Sequence, residues 1–526
     1  MHLGINRIVT RAAVFTCAAA IFAAASVAAH AADSLTIKTV DGKVHGKTIN
    51  EGKVRAFQGI PYAAPPIGNL RWAPPAPAKP WKETLDATKY GHHCAQNHVF
   101  DDMVFQDAAS PDDKGSEDCL NLNVYTPANA KGKLPVMFWI HGGGYSGGAS
   151  SEPRHNGDFL PTYGVVLVTI NYRLGVFGFL ATPELAQEQG GSAGNYGLED
   201  MVAALQWVKK NIGQFNGDPN NVTIFGESAG SFAVSTLMAL PSAQGLFVHA
   251  IGESGGALAS GGLAMESLAV RGPKEDEWVK STGAANLADL RNIPTDKILD
   301  LASKASREER FSPVIDGKFI PKPIVDIYKA GEQAKIPLLA GFNHDEGSFL
   351  SIGMTADKWH AMGLQRYAEK AQEFFKLYPG GTDTEAVKSA SDFGGDQFIA
   401  YGTWKWIEIN RQTGDKDIYR YKLDLAAPPS KFHPGSFAFH SDDIEYVFGT
   451  LATRPGATWR PEDWELSKQI MGYWTNFAKK GDPNGPGLPA WPKYGEGDPI
   501  LHLDNPISVR NDENRSRYEF WLAEEK

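Results

Sequence analysis

The stretch Asn221-Val-Thr-Ile-Phe-Gly-Glu-Ser-Ala-Gly230 decides the fold of this chain. Residues 222–225 are apolar or β-branched and predict a buried strand, and residues 231–240 continue after the glycine-rich turn with helical spacing. A strand that ends in Gly-x-Ser-x-Gly and leads into a helix is a nucleophile elbow. Its serine occupies a strained backbone position, so the positions two residues before and after it can carry almost no side chain. Ser228 is therefore the predicted nucleophile.

A second Gly-x-Ser-x-Gly sequence, Gly252-Glu-Ser-Gly-Gly256, follows another short apolar run. The residues after Ser254 are Gly-Gly-Ala-Leu-Ala-Ser-Gly-Gly, which are too rich in glycine to begin a firm helix. The residues after Ser228 make a good helix start. We therefore predict that Ser254 ends the next strand of the sheet and lies near the site without attacking the substrate.

A glycine-rich loop upstream of the elbow is the candidate oxyanion hole. The apolar run Leu134-Pro-Val-Met-Phe-Trp-Ile140 predicts a strand covered on both faces, and it ends in His141-Gly-Gly-Gly-Tyr-Ser-Gly-Gly148. Glycines at that place allow backbone N–H groups to approach a tetrahedral intermediate closely. The alternative is a phosphate-binding loop, which is disfavoured because no Gly-Lys-Ser/Thr sequence ends the run.

A serine nucleophile also needs a base, and in this class of site the chain order is serine, acid, histidine. The histidines that follow the elbow are His249, His344, His360, His433, His440 and His502. Of these, His440 lies just past a strand-like stretch and between apolar segments. His433 lies beside Pro434 in a loop, and His360 falls in a polar helical stretch. His440 is therefore the predicted base.

The acid is predicted at the end of a later core strand. Ile336-Pro-Leu-Leu-Ala-Gly-Phe342 predicts that strand, and Asn343-His-Asp-Glu-Gly347 follows it at once. An acidic pair, Asp345 and Glu346, thus stands at the strand's carboxyl end. The sequence pattern does not choose between the two.

Several further motifs, spread from about Gly46 to the C-terminus, carry a resemblance to a known family. They are Phe57-Gln-Gly-Ile-Pro-Tyr-Ala63, Pro65-Pro-Ile-Gly-Asn-Leu-Arg71, Glu117-Asp-Cys-Leu-Asn-Leu-Asn123, Asn171-Tyr-Arg-Leu-Gly175, Gly194-Asn-Tyr-Gly-Leu-Glu-Asp200 and Phe311-Ser-Pro-Val-Ile-Asp-Gly317. With them the chain resembles the type-B carboxylesterases, a group that includes bacterial carboxylesterases, bile-salt lipases and cholinesterases. The resemblance implies a catalytic triad and an oxyanion hole, the latter built from backbone N–H groups. The residues it implies are Ser228, Glu346 and His440 for the triad, and Gly143, Gly144 and Ala229 for the hole.

The resemblance also implies an α/β-hydrolase fold, with a large, mostly parallel central sheet and helices on both faces. No linker, charge run or internal repeat divides residues 32–526, which predicts a single domain. The stretches 261–310 and 354–406 are predicted to be helical insertions around the pocket. For any one of these helices, plain packing is an equally good interpretation.

The N-terminus predicts export. Arg7 and Arg11 precede an alanine-rich apolar run, and Ala29-His-Ala31 offers a small-x-small cleavage site. Residues 1–31 are therefore a predicted secretory signal peptide, and the protein is expected to be secreted or periplasmic. The alternative is an uncleaved anchor, but the run is too short and too rich in alanine for a confident membrane span. Removal of the leader leaves Cys94 and Cys119, which suit a disulfide in an oxidising compartment and match positions that the family pairs.

Charge and composition exclude other classes of function. The formal net charge is −10, and the leader carries two arginines and no acid, so the mature chain is more negative still. This balance disfavours nucleic acid and anionic membrane surfaces as partners. No Cys/His cluster has zinc spacing and no His-Glu-x-x-His sequence occurs, so neither a metal nor another cofactor is predicted.

Three departures from the family pattern bear on the subfamily. Asn216 stands where the family usually has Gly or Arg, and Met201 stands where it usually has Gln. No tryptophan lies between Cys94 and Cys119, whereas cholinesterases have one shortly before the second cysteine. That difference counts against choline esters as substrates.

These observations predict a serine hydrolase that cleaves small-molecule carboxylic esters through an acyl-enzyme intermediate, without stable insertion in a membrane. Two alternatives remain. An amidase or peptidase would use the same triad, and a non-catalytic cholinesterase-like binding protein would share the fold but usually lacks a triad member.

Overall fold

The computed structural model describes residues 35–97, 114–258, 264–305, 311–430, 435 and 437–525. The predicted signal peptide, residues 1–31, lies outside the described residues. Among the residues that are described, no helix is long and apolar enough to cross a membrane.

Strands from the whole length of the described chain build a large central sheet and a small second one. In chain order the strands are β1 (Thr36–Lys38), β2 (Lys43–His45), β3 (Lys47–Ile49), β4 (Val54–Pro61), β5 (Leu85–Asp86), β6 (Asn121–Pro127), β7 (Leu134–Ile140), β8 (Val166–Ile170), β9 (Gly217–Glu227), β10 (His249–Glu253), β11 (Leu338–Asn343), β12 (Ile418–Leu423), β13 (Pro499–Leu503) and β14 (Ser508–Asn511). β1, β2 and β5 form the small sheet, and the other 11 strands form the large one.

The large sheet has the order β14-β13-β12-β11-β10-β9-β7-β8-β6-β4-β3. From β8 to β13 every neighbouring pair is parallel. Antiparallel pairs occur only toward the edges, where β6, β4 and β3 follow β8 and where β14 pairs with β13. The prediction of a mostly parallel central sheet is confirmed.

Helices cover both faces of this sheet and also form the insertions between its strands. They are α1 (Gly175–Phe179), α2 (Pro183–Glu188), α3 (Tyr196–Asn211), α4 (Ala229–Ala239), α5 (Leu268–Ser281), α6 (Leu287–Arg291), α7 (Thr295–Ala302), α8 (Ile324–Lys329), α9 (Ala356–Tyr367), α10 (Ala371–Leu377), α11 (Asp383–Gly395), α12 (Tyr401–Thr413), α13 (Asp443–Phe448), α14 (Pro461–Lys480) and α15 (Arg515–Glu524).

Alternate residues of β7 show how the two faces are used. Phe138 packs into a core with side chains of α3 and α4, such as Leu237. Trp139, the next residue, packs into a separate core with side chains of α13 and α14, such as Trp474. Successive side chains of a strand point to opposite faces. A continuous apolar run is therefore what a strand with helices on both sides requires.

Both predicted insertions contain helices. The stretch 261–310 holds α5, α6 and α7, whose buried side chains pack with Trp72 and Phe177 in a core of their own. The described parts of these helices pack against the rest of the fold. The stretch 354–406 holds α9, α10, α11 and the start of α12, and it reaches the triad through Phe398, as set out below.

Candidate active site

Ser228 lies at the tip of the turn between β9 and α4. Its backbone has φ 54° and ψ −122°, a left-handed conformation that few residues other than glycine adopt. The glycines on either side are needed because the turn lies against the end of β7. A Cβ on Gly226 would lie 2.6 Å from the carbonyl oxygen of Ile140, and one on Gly230 would overlap that same oxygen. The elbow therefore has the strained geometry that its sequence predicts.

His440 lies between the serine and an acid. Its Nε2 is 2.9 Å from Oγ of Ser228, and its Nδ1 is 2.6 Å from Oε2 of Glu346. His440 lies in the turn that precedes α13, and Glu346 follows the end of β11 by three residues. The structure thus brings the three predicted triad residues into one chain of hydrogen bonds, although they are far apart in the sequence.

The two acids after β11 point in different directions. Glu346 is buried, and its Oε1 accepts hydrogen bonds from the backbone N–H of Asn343 at 2.8 Å and from Ser254 Oγ at 2.6 Å. Asp345 instead accepts a 3.0 Å hydrogen bond from the backbone N–H of Ala438. It thereby joins the loop that carries the acid to the loop that carries His440. Of these two acids, Glu346 is the one that is hydrogen-bonded to the imidazole.

Ser254 directly follows β10 and lies near the site, as predicted, but its contact with the acid was not predicted. β9 and β10 are parallel neighbours, and their register pairs Gly226 with Gly252 and Glu227 with Glu253. The two Gly-x-Ser-x-Gly sequences therefore lie side by side. Ser254 also has a positive φ, 56°, but its hydroxyl is directed to Glu346. The duplicated motif was the available signal, since it places a second serine next to the first.

The glycine loop after β7 lies against the elbow. Gly143 and Gly144 have φ values of 99° and 62°, which turn the chain sharply. A Cβ on Gly142 would lie 3.0 Å from Cβ of Ser228, so the loop backbone passes directly beside the nucleophile. Ala229 is the first residue of α4, and an N–H at a helix start has no partner within the helix. Its N–H and those of Gly143 and Gly144 are the candidate donors to an oxyanion.

Buried carboxyl groups lie next to the triad. The sequence analysis did not predict their effect on the pKa of His440. Burial raises the pKa of Glu227 to about 8, and Oε1 of this residue lies 3.3 Å from Nε2 of His440. Burial also raises the pKa of Asp443 to about 6. For His440, burial alone would lower the pKa, but the charges of Glu227 and Glu346 outweigh it and raise the pKa to about 9. The site is thus built to hold a positive charge on the imidazole.

The other histidines after the elbow have different partners. His249 contacts Thr223, His360 packs against the ring of Phe375, and His344 and His502 both bind Asp424. His433 lies outside the described residues. Of the histidines that the structure describes, His440 is the one that is hydrogen-bonded to Ser228.

Cys94 and Cys119 form a disulfide in a loop region before β6. Glu117, two residues before Cys119, forms a buried ion pair with Arg71. Among the described residues, no group of three or more His, Cys, Asp or Glu side chains could hold a metal ion.

Comparison with known proteins gives a consistent result. The model of the carboxylesterase family matches residues 33–521. Fumonisin B1 esterase from Sphingopyxis macrogoltabida is 34% identical over 488 residues, which cover 89% of this chain and 86% of that protein. Liver carboxylesterase 1 from Oryctolagus cuniculus is 35% identical over 531 residues, with 91% and 92% of the two chains covered.

Solved structures agree with the sequence relatives. A PNB esterase superposes with a TM-score of 0.79 at 32% identity, covering 92% of this chain and 99% of its own. A thermophilic PNB esterase gives the same TM-score at 31% identity. The fold is therefore that of the α/β-hydrolases.

Proposed function

The chain belongs to the carboxylesterase family and is a carboxylic ester hydrolase, and from that premise we propose that Ser228, His440 and Glu346 hydrolyse esters through an acyl-enzyme intermediate. The observation that carries the proposal is the position of His440, which lies 2.9 Å from the serine hydroxyl and 2.6 Å from the Glu346 carboxylate. Both distances allow direct proton transfer or strong hydrogen bonding.

In the first half of the reaction, Nε2 of His440 takes the proton of Ser228 as Oγ attacks the ester carbonyl carbon. The carbonyl oxygen becomes an oxyanion, which the N–H groups of Gly143, Gly144 and Ala229 stabilise. The intermediate then collapses. The bond to the leaving oxygen breaks, and the imidazolium returns its proton to that oxygen, so that an alcohol departs and an acyl-serine remains.

In the second half, water replaces the alcohol. His440 takes a proton from a water molecule as the water oxygen attacks the acyl carbon. The same three N–H groups stabilise the oxyanion. Collapse releases the carboxylic acid and returns the proton to Ser228. Glu346 keeps Nδ1 protonated and stabilises the imidazolium in both halves without taking up the proton itself.

The presence of all three triad residues argues against a non-catalytic binding protein of the same fold. No observation on the described residues favours an amide substrate over an ester. We further propose that residues 32–526 act as one catalytic domain after removal of the leader 1–31, and that the enzyme is secreted or periplasmic. Its substrates are small-molecule esters.

The test is to trap the acyl group. The mature enzyme is mixed with an activated ester that deacylates slowly, and the modified peptide is identified by mass spectrometry. We expect one acyl group on Ser228, a burst of released alcohol that equals the enzyme concentration, and neither in Ser228→Ala. Parallel assays with esters of different acyl length and with a matched anilide compare ester and amide cleavage. Full ester hydrolysis by Ser228→Ala would overturn the proposal.

A further inference from the structure

The long helical stretch 383–413 is interrupted by a π-helical turn next to the triad. α11 ends at Gly395, residues 396–400 form one π-helical turn, and α12 continues from Tyr401. A π-turn inserts one extra residue into a helix and is less stable than the α-helix around it, and such turns are frequent at functional sites. Here the turn carries Phe398.

The π-turn is held in place by side-chain contacts of its first residue. Its first residue, Asp396, is buried and accepts a 2.7 Å hydrogen bond from the hydroxyl of Tyr378. Nε of Arg517, on α15, lies 2.8 Å from the same carboxylate. Because the Asp396 carboxylate is buried, leaving its charge without a partner is costly, so the ion pair holds the turn against α15.

The residues just before the turn contact the loop of the acid. Gly394 and Gly395 pack against Gly347, the residue after Glu346. A Cβ on Gly347 would overlap the backbone of Gly395, and one on Gly395 would lie 3.3 Å from Cβ of Glu346. Backbone therefore meets backbone, which fixes the distance between this helix and the acid.

Phe398 contacts the base from the same helix. Its ring lies 4.8 Å from the imidazole of His440, with an interplanar angle of 62°. Its ring also lies 5.9 Å from that of Phe349, which follows Glu346 by three residues. Aromatic rings at these distances prefer such edge-to-face arrangements. One anchored helix segment thus contacts the acid loop through glycines and the imidazole through an aromatic ring.

We propose that Phe398 is a positioning residue for His440, and that the π-turn exists to place its ring there; the inference rests on the proposed role of His440 as the base. The imidazole is held at both nitrogens, but two hydrogen bonds in one plane leave the ring free to tilt about the line that joins them. The ring of Phe398 blocks that tilt and keeps water from one side of the imidazole.

The test uses Phe398→Ala, Phe398→Leu and Phe398→Tyr, assayed with an acetate ester of a small alcohol so that pocket size matters little. For Phe398→Ala we expect kcat to fall by about tenfold, and by no more than about 100-fold, while KM changes by less than about twofold. Phe398→Leu should show an intermediate loss, because it retains apolar cover without the ring. Phe398→Tyr retains an aromatic ring and should keep a kcat close to that of the wild type.

The pH profile separates positioning from a merely structural role. Burial lowers the pKa of His440 against the opposing charges of Glu227 and Glu346. Loss of the Phe398 ring admits water, which favours the charged imidazole, so the acid limb of kcat/KM should move to higher pH in Phe398→Ala. Phe375→Ala is the matched control, because its ring lies 4.4 Å from His360, a histidine outside the triad. It should change neither kcat nor the limb.

Three outcomes would overturn the inference. They are a Phe398→Ala enzyme with unchanged kcat, a loss confined to KM, and an equal loss in Phe375→Ala. Ser228 acylation in each variant shows that the fold and the nucleophile are intact. The proposed function has its own test, since activity in Ser228→Ala would contradict the triad whatever Phe398 does.

Discussion

The hydroxyl of Ser254 donates a 2.6 Å hydrogen bond to Oε1 of Glu346, the carboxylate whose other oxygen binds His440. The serine of the second Gly-x-Ser-x-Gly sequence therefore holds the acid, while the serine of the first contacts the base. Two copies of one motif on neighbouring parallel strands supply both ends of the hydrogen-bond chain. That relationship makes the two serines experimentally separable.

Ser254→Ala should weaken catalysis without abolishing it. The variant removes one of the two donors to Oε1 of Glu346 and leaves Asn343 in place. A hydrogen bond to a charged group is worth about 1.5–3 kcal/mol, so kcat should fall by about 10- to 100-fold. Ser228→Ala should lose about a million-fold by analogy with other triads.

Steady-state kinetics of both variants make the comparison, with Ser231→Ala as the control. Ser231 is also buried on this side of the sheet, but its hydroxyl bonds to the carbonyl of Gly255 and not to the triad. Loss of all turnover in a folded Ser254→Ala protein, with activity retained in Ser228→Ala, would reverse the assignment of the two serines.

The elbow, the core strands and the choice of His440 were predictable because each depends on a short stretch of sequence. The part played by Ser254 was not, since it depends on the register of β9 against β10. The π-turn at residues 396–400 was not predictable either. Its residues have ordinary helical character, and the contact of Asp396 with Arg517 joins the turn to α15, which is distant in the sequence. Contacts between distant segments, not local pattern, completed the site.

Exchange of the two acids for amides should give very different losses. Glu346→Gln keeps the shape of the side chain but removes the charge that orients and stabilises His440, so turnover should fall by about 10,000-fold. Asp345→Asn should cost less than about tenfold, because an amide oxygen can still accept the hydrogen bond from Ala438. Measurement of kcat for both variants decides the matter, and equal losses would refute the choice of Glu346.

The disulfide should contribute to stability rather than to chemistry. Cys94 and Cys119 are 25 residues apart, and closing a loop of that size stabilises a fold by about 3 kcal/mol in the chain-entropy model. The double variant Cys94→Ser/Cys119→Ser should unfold at lower urea concentration and retain its kcat at 25 °C. Wild-type enzyme treated with reductant is the control and should behave in the same way. An unchanged urea midpoint would show that the bond adds no stability.

Neutral esters should be preferred over cationic choline esters. No tryptophan lies between Cys94 and Cys119 to provide a cation–π wall, an interaction worth about 2 kcal/mol when desolvated. The net charge of −10 attracts cations over longer distances, but salt screens that attraction within about 8 Å at physiological ionic strength. The kcat/KM of acetylcholine and of an uncharged ester of the same shape should therefore be compared at moderate salt. A clear preference for acetylcholine would contradict this expectation.

The pH dependence should be governed by His440 together with Glu227. The imidazole must be neutral to accept the proton of Ser228, and nearby charges raise its pKa to about 9 against the effect of burial. Activity should therefore keep rising through neutral pH and not level off near 6.5. The pKa of Glu227 is raised to about 8, so both groups titrate in the same range and share one limb.

Glu227→Gln should move that limb to lower pH. The substitution removes a negative charge 3.3 Å from Nε2 of His440, which lowers the pKa of the imidazole. A shift of about one pH unit corresponds to about 1.4 kcal/mol of lost interaction. The pH profile of kcat/KM for a neutral ester measures it. Glu275→Gln is the matched control, because burial raises the pKa of Glu275 to about 8 as well, yet its partners are Ala181 and Arg271. A limb that stays in place in Glu227→Gln, or moves equally in Glu275→Gln, would show that the charge of Glu227 does not set the pKa of the base.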